Sequence, residues 1–247
     1  MRRIITLLTL CMPLSALAIE SIESDSLTPP AEGDSGHVEA AYGGRSGNSS
    51  YDAFTGGGRF DYRADRTLMF LTGDYTKVSA NGAQAANTGW IHGGFIDEYQ
   101  HGLAAEAYID HLQDDQRQLA NRTQLGGGMR FTLDQVQDFR SVYMGLGALH
   151  EWQAQSGIGN DYWRANSYIS YLRRLTPQAT LLLSLQYQPR TSDWGNYLIE
   201  DVAEVGVTLS PMLSLQVGLR HEYDSWVASP FIRHNDTLYE TSLRLRY

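Results

Sequence analysis

The chain of 247 residues carries 28 acidic and 19 basic side chains, a formal charge of −9, and so acidic a balance excludes a nucleic-acid partner. Apolar residues make up 42%, and 24 glycines, 15 tyrosines and 5 tryptophans stand beside a single lysine, Lys77, yet beyond Ala18 no apolar run reaches the roughly 18 residues of a membrane helix. The one cysteine, Cys11, falls in the leader that opens the chain, which excludes disulfides, thiolate metal sites and a cysteine nucleophile from residues 19–247.

Met1 to Ala18 carries Arg2 and Arg3, an apolar run from Ile4 to Leu10, and small residues at Ala16 and Ala18, the two positions a signal peptidase inspects. This segment is an export signal, and the mature chain is expected to begin near Ile19. Leu10 stands where a lipoprotein would need a small residue before Cys11. Loss of Arg2 and Arg3 takes the formal charge from −9 to −11. Residues 19–36 are acidic, contain Pro29-Pro30 and lack periodicity, so they are expected to form a flexible periplasmic lead-in.

From residue 37 the chain alternates strand, turn, strand. The pattern predicts strands over 37–45, 52–64, 66–78, 85–98, 102–112, 121–133, 139–153, 161–174, 179–188, 195–209, 213–224 and 235–247. Short polar or proline-containing turns are expected at Ala64-Asp65, Tyr99 to His101, Asp134 to Asp138, Thr176-Pro177 and Ser210-Pro211. Longer loops are expected at Ser46 to Tyr51, Ser79 to Gln84, Gln113 to Ala120, Ala154 to Asn160, Pro189 to Trp194, and Ser225 to His234, the longest, whose Trp226 and Phe231 can fold over a mouth. Outer-membrane barrels place short turns in the periplasm and long loops outside, so an even strand number puts both termini in the periplasm. Trp90, Trp152, Trp163, Trp194 and Trp226 all fall at long-loop ends and are expected to form an outer aromatic girdle.

Several strands separate two faces. Ala179, Leu181, Leu183, Leu185 and Tyr187 oppose Thr180, Ser184 and Gln186; Leu213, Leu215, Val217 and Leu219 oppose Ser214, Gln216, Arg220 and Glu222. In the closing strand Tyr239, Thr241, Leu243, Leu245 and Tyr247 oppose Glu240, Ser242, Arg244 and Arg246. The opposite register would place both arginines in hydrocarbon at roughly 2–4 kcal/mol each near the midplane, so the first set faces lipid. Tyr239, Leu243, Leu245 and Tyr247 form the expected signal to the barrel assembly machinery. Strand 85–98 accepts either register, and the triplets Gly56 to Gly58 and Gly126 to Gly128 fit close packing or a bend equally well. The fold class predicted is all-β, a single-chain antiparallel transmembrane barrel of about twelve strands, of bacterial outer-membrane type.

Ser46-Gly47-Asn48-Ser49, Phe60-Asp61-Tyr62-Arg63 and the ending Asn235-Asp236-Thr237-Leu238-Tyr239-Glu240-Thr241-Ser242-Leu243 resemble the domain of unknown function 481, whose members are often labelled salt-induced outer-membrane proteins. The resemblance covers roughly residues 37 to 247. It implies a β-barrel in the outer membrane and brings no substrate or reaction. The family's usual closing phenylalanine is Tyr247 here.

No P-loop, GxSxG, HExxH or paired CxxC pattern is present. His111 beside Asp110, Asp114 and Asp115, and His150 beside Glu151, can be drawn as an acid/base cluster at the rim. The preferred registers instead turn His92, His111, His150 and His221 outward as girdle or headgroup contacts. No catalytic residue, metal site or cofactor is therefore assigned. The inward set is expected to contain Glu39, Asp61, Asp74, Glu106, Asp110, Glu151, Glu200, Glu204, Glu222 and Glu240 with Arg59, Arg130, Arg164, Arg220 and Arg244. Such side chains either pair across a narrow interior and fill it, or line a small water path whose excess of acids favours cations. The pattern allows three readings: a narrow, weakly cation-preferring pore; a plugged structural or envelope-stress barrel; and a surface enzyme. The expected partners are outer-membrane lipid and lipopolysaccharide, with the chain monomeric.

Overall fold

Twelve antiparallel strands succeed one another around a ring in the computed structural model, which describes Leu27 and residues 31–45, 51–80, 83–99, 102–115, 117–136, 140–230 and 232–247. They are β1 (Gly33–Arg45), β2 (Tyr51–Ala64), β3 (Thr67–Ala80), β4 (Ala83–Glu98), β5 (Leu103–Asp114), β6 (Leu119–Val136), β7 (Arg140–Gln155), β8 (Ile158–Thr176), β9 (Ala179–Arg190), β10 (Asp193–Thr208), β11 (Leu213–Asp224) and β12 (Asn235–Arg246). Each pairs with its sequence neighbours, and β1 pairs with β12, so the sheet closes. The closed antiparallel barrel of twelve strands is the fold expected from the alternation.

Two expectations about the ends of strands are corrected. The lead-in 19–36 yields to β1 at Gly33 rather than at residue 37, and Leu27 is buried among residues of the barrel. The signal 1–18 lies outside the described residues. At the end of the barrel opposite Gly33 and Tyr247, here called distal, the expected loops at 79–84, 154–160 and 189–194 are largely strand instead, while residues 46–50 of the first expected loop lie outside the described residues. The β7–β8 link is Ser156-Gly157, both at positive φ (50° and 78°), as in a two-residue hairpin turn whose twist matches its strands. The β9–β10 link is Thr191-Ser192, and β3 ends at Ala80 with β4 resuming at Ala83. The distal strand ends carry polar and small residues on both faces, so they lose the apolar–polar alternation and read as loop although the backbone ladder continues. The longest distal connection is Ser225 to His234, as expected.

The two faces invert the arrangement of a soluble core. Leu71, Ile109 and Leu125 on the outside are 51%, 51% and 52% exposed, whereas Arg59, Asp61, Glu151 and Arg164 on the inside are 5% exposed or less. A surface this apolar is stable only against lipid. The seam is finished by Tyr247, whose amide donates to the Gly36 carbonyl (3.2 Å) and whose ring lies against Gly36, where a Cβ would meet the tyrosine hydroxyl.

Inside the barrel three aromatic rings lie flat over glycines of the neighbouring strand. Phe70 covers Gly94, Tyr108 covers Gly126, and Tyr168 covers Gly145, each a directly opposed pair. The glycine triplet 126–128 thus contributes close packing: Gly126 leaves the space the Tyr108 ring occupies. Gly145→Val would place a branched side chain within the Tyr168 ring. It is expected to destabilise the barrel by about 1–3 kcal/mol, and Tyr168→Ala added to it should recover part of the loss, read from urea unfolding in phospholipid vesicles.

Candidate functional site in the barrel lumen

Strand alternation carries the charged side chains inward and pairs most of them. Arg59 bonds Asp61 (2.9 Å), Arg244 bonds Glu39 (3.1 Å), Arg220 meets Glu200 (3.4 Å), and Arg130 meets Glu106 (3.3 Å). Glu204 lies on the inward face of β10 with Glu200, and Asp74 accepts a bond from the Trp90 indole. The side chain of Glu240 lies outside the description, as does that of Tyr239.

Two clusters of ion pairs stand inside the barrel. The first lies along one wall, from β6 to β9, where Glu151 is held by Arg164 (3.1 and 3.2 Å) and by the amide of Gln124 (2.6 Å), while Arg164 also donates to the Gln188 carbonyl (3.0 Å). Near the distal end Arg117, in the β5–β6 connection, reaches Glu222 (2.7 and 2.8 Å), Asp236 (3.6 Å) and Asp224 (3.8 Å). Arg122 of β6 meets Asp224 (3.1 Å) and Glu222 (3.6 Å). In a ring of twelve, β5 and β6 stand opposite β11 and β12, so these pairs span the interior from wall to wall. Burial is the largest influence on the Arg117 charge and opposes it, but the charge and hydrogen bond of Glu222 together with the charge of Asp224 outweigh it and raise the pKa above its ordinary value.

The long connection is fastened to this layer. Gln155 donates to the Arg117 carbonyl (3.1 Å) and accepts from the Ala228 amide (3.3 Å), the Trp226 amide donates to Asp224 (2.9 Å), and Ile232 is buried. Trp226 is half-buried in this connection. Phe231 lies outside the described residues.

Asp114, Arg117, Arg122, Asp224 and Asp236 were not among the expected inward residues. Parity offers Arg122 and Asp224, which lie an even number of positions from Arg130 and Glu222. It does not offer Arg117, because the register shifts between Leu112 and Asp114 and again between Leu119 and Asn121.

Trp90 and His92 correct the girdle assignment. Both point inward from β4, Trp90 to Asp74 and His92 to Asp110, with the His92 ring between Phe70 and Tyr108. The strand had no decisive alternation, and its inward face was settled by partners on β3 and β5. Trp152 and Trp163 do face outward, packed against His150 in tilted and edge-on contacts at 4.3 and 5.0 Å, and Trp194 is exposed at the start of β10. A second outward aromatic row, Tyr187–Tyr197–Tyr223–His234, runs across four adjacent elements at 5.6 to 6.0 Å. Leu243, Leu245 and Tyr247 are outward and exposed.

The imagined acid/base clusters are not assembled. His111 is outward and bonded to Thr123, while Asp110 and Asp114 are inward; His150 and Glu151 lie on opposite faces. Among the described residues no group of three or more metal-ligating side chains is arranged to hold an ion.

At the end that holds the termini, a cavity of about 490 Å³ opens into the lumen, lined among the described residues by Arg63, Arg130, Arg140 and Arg174 with the carboxylate of Glu98, while Arg130 also meets Glu106 (3.3 Å) and Arg140 meets Asp134 (2.8 Å). The distal layer has the opposite balance, four carboxylates (Asp114, Glu222, Asp224, Asp236) to two arginines. Charge is therefore segregated along the axis, which a pooled count of acids and bases conceals.

The family profile described as "Protein of unknown function, DUF481" matches residues 38–247. No curated protein matches the chain. Among solved structures the chain is similar to the translocator domain of the autotransporter NalP from Neisseria meningitidis, at 12% identity over 91% of each chain with a TM-score of 0.48. It is also similar to the KdgM porin (10% identity, 86% of this chain and 98% of that one, TM-score 0.47) and to the NanC porin (10%, 86% and 97%, 0.46). At such identities the likeness is one of barrel shape.

Removing one partner of a buried ion pair strands the other, at about 3–5 kcal/mol. Arg117→Ala is expected to lose an amount of that order in urea unfolding, and Arg117→Met combined with Glu222→Gln to lose less than Arg117→Ala alone.

Proposed function

The chain belongs to the DUF481 family of proteins of unknown function, and we propose that it acts in the bacterial outer membrane as a narrow, normally closed passage for small solutes or ions. The observation that carries this reading is the chemistry of what crosses the lumen: Arg117 and Arg122 against Glu222, Asp224 and Asp236. A permanently solid barrel gains nothing from charge there, since apolar side chains of similar volume fill such a space with equal or greater stability. Paired charges, by contrast, exchange partners with water and part without exposing apolar surface. The distal excess of carboxylates favours cations at that constriction.

The apolar exterior and the outward aromatic rows support a membrane location, with lipid and lipopolysaccharide as the surroundings and the chain a monomer. The long distal connection supports periplasmic termini. The placement of His111 and of Asp110 and Asp114, and of His150 and Glu151, on opposite faces supports a protein without enzymatic activity. A plugged structural barrel is the second reading, favoured by the near-complete burial of Arg117, Arg122 and Glu222.

In planar bilayers the wild-type protein is expected to give small, brief currents with a modest cation preference. Arg117→Gln with Arg122→Gln leaves the distal carboxylates unopposed, so conductance and cation preference both rise, most at low salt, where the screening length grows to about 30 Å at 0.01 M. Silence from both proteins, each shown folded by heat-modifiable migration, selects the plugged reading. Protease added to intact cells is expected to cut within Ser225 to His234 and to spare Thr176-Pro177; the reverse pattern inverts the orientation.

A further inference from the structure

Toward the terminal end the wall of the lumen loses its side chains over two neighbouring strands. Alternation turns Gly126 and Gly128 of β6 and Gly145 and Gly147 of β7 inward, between Gln124 and Arg130 on one strand and between Tyr143 and Leu149 on the other. Gly128 and Gly147 are directly opposed, and a Cβ on either would run into the backbone of the facing strand. Two tyrosines cross this bare wall in opposite directions. Tyr108, from β5, lies over Gly126, and its hydroxyl accepts a bond from the Asn166 amide on β8 (2.8 Å). Tyr168, from β8, lies over Gly145 and donates to Glu106 on β5 (2.6 Å). The four side chains clasp β5 to β8 over the glycines of β6 and β7. Glycine offers no side chain for either ring to interlock with, so the two hydroxyl bonds hold the rings in place.

The lumen contracts at the clasp. The cavity of about 490 Å³ at the terminal end gives way to one of about 50 Å³, lined by Phe70, His92, Glu106, Tyr108, Tyr168 and Gln186. Phe70 belongs to β3 and Gln186 to β9, which stand opposite one another in a ring of twelve, so this small space lies between facing walls. It has room for only a few water molecules. Gln186 is buried, and its amide nitrogen donates to Asn166 of the clasp (3.0 Å). Its Oε1 has no hydrogen-bond partner among the described residues, which leaves an acceptor for an occupant that donates a hydrogen bond.

Resting on the passage described above, we propose that Tyr108 and Tyr168 set the size of what it admits. With the clasp formed, only solutes close to water in size that donate hydrogen bonds, of the class of ammonium and methylammonium, pass the terminal half of the lumen. Lifting of the two rings is the step that widens this half, because the wall beneath them is bare. An arriving donor competes with Tyr168 for Glu106, which Arg130 (3.3 Å) keeps in place when the tyrosine leaves.

The test is made where the distal pairs no longer limit passage, in the Arg117→Gln, Arg122→Gln protein in planar bilayers, with ammonium, ethylammonium, diethylammonium and triethylammonium as the probes. With both tyrosines intact, permeability relative to potassium is expected to fall about ten-fold or more from ammonium to triethylammonium. Tyr108→Ala with Tyr168→Ala, which bares the glycines, should shrink that fall to about three-fold or less. Tyr108→Phe with Tyr168→Phe keeps both rings and their packing. It should leave the size limit where it is and lengthen openings about five-fold, as loss of a hydrogen bond implies. A size limit unmoved by the alanine pair, or opening times unmoved by the phenylalanine pair, overturns the size-setting role while the passage stands. Silence from every protein, each shown folded by heat-modifiable migration, overturns the passage itself and this role with it.

Discussion

Every backbone N–H and C=O placed in hydrocarbon needs a partner, and here the β1–β12 seam makes that possible for the whole wall. Twelve strands paired only with their sequence neighbours would still leave two open edges, each a row of unsatisfied groups. Closure removes both. It also fixes register, since the pairing of His37 with Arg246 and Ala40 with Leu243 places Leu243 and Leu245 toward lipid and Arg244 toward Glu39. The ring of Tyr247 over Gly36 completes the same contact on the outside.

Closure dictates the interior in turn. A barrel of twelve strands lies between the eight whose interior side chains fill and the 16 to 18 that leave an aqueous channel, so its side chains decide how far the interior is occupied. The chain meets this with rings laid over glycines, with ion pairs that reach from wall to wall, and with one connection, Ser225 to His234, drawn down onto the distal pairs. Each distal arginine that crosses the lumen faces more than one carboxylate. Arg117 contacts three and Arg122 two, so the charges form a network rather than isolated bridges. Such a network persists when one contact is lost.

The axial segregation of charge gives the two ends different chemistry. Carboxylates exceed arginines at the distal layer, and arginines exceed carboxylates around the terminal cavity. In the proposed passage an ion of either sign would meet one favourable and one unfavourable region. Side chains meet across the lumen in both halves, Arg117 with Glu222 at the distal layer and Tyr168 with Glu106 toward the terminal end.

Much of this protein was determined by local sequence. The alternation of apolar and polar residues settled the barrel, its twelve strands and the inward placement of Arg59, Glu151, Arg164 and Glu222, because a period of two is a property of each strand by itself. Three things were decided only in three dimensions. Strand 83–98 has an ambiguous pattern, and Trp90 and His92 turned inward because Asp74 and Asp110 on adjacent strands receive them. Arg117 lies past a register shift, where parity fails, and its carboxylates are about a hundred residues away in sequence. Leu182 and Val202 break the polar face for no local reason; their partner is Leu27, from a segment with no periodicity at all. A strand's pattern records which face meets lipid, but it does not record what the opposite wall presents, and the lumen is built from opposite walls.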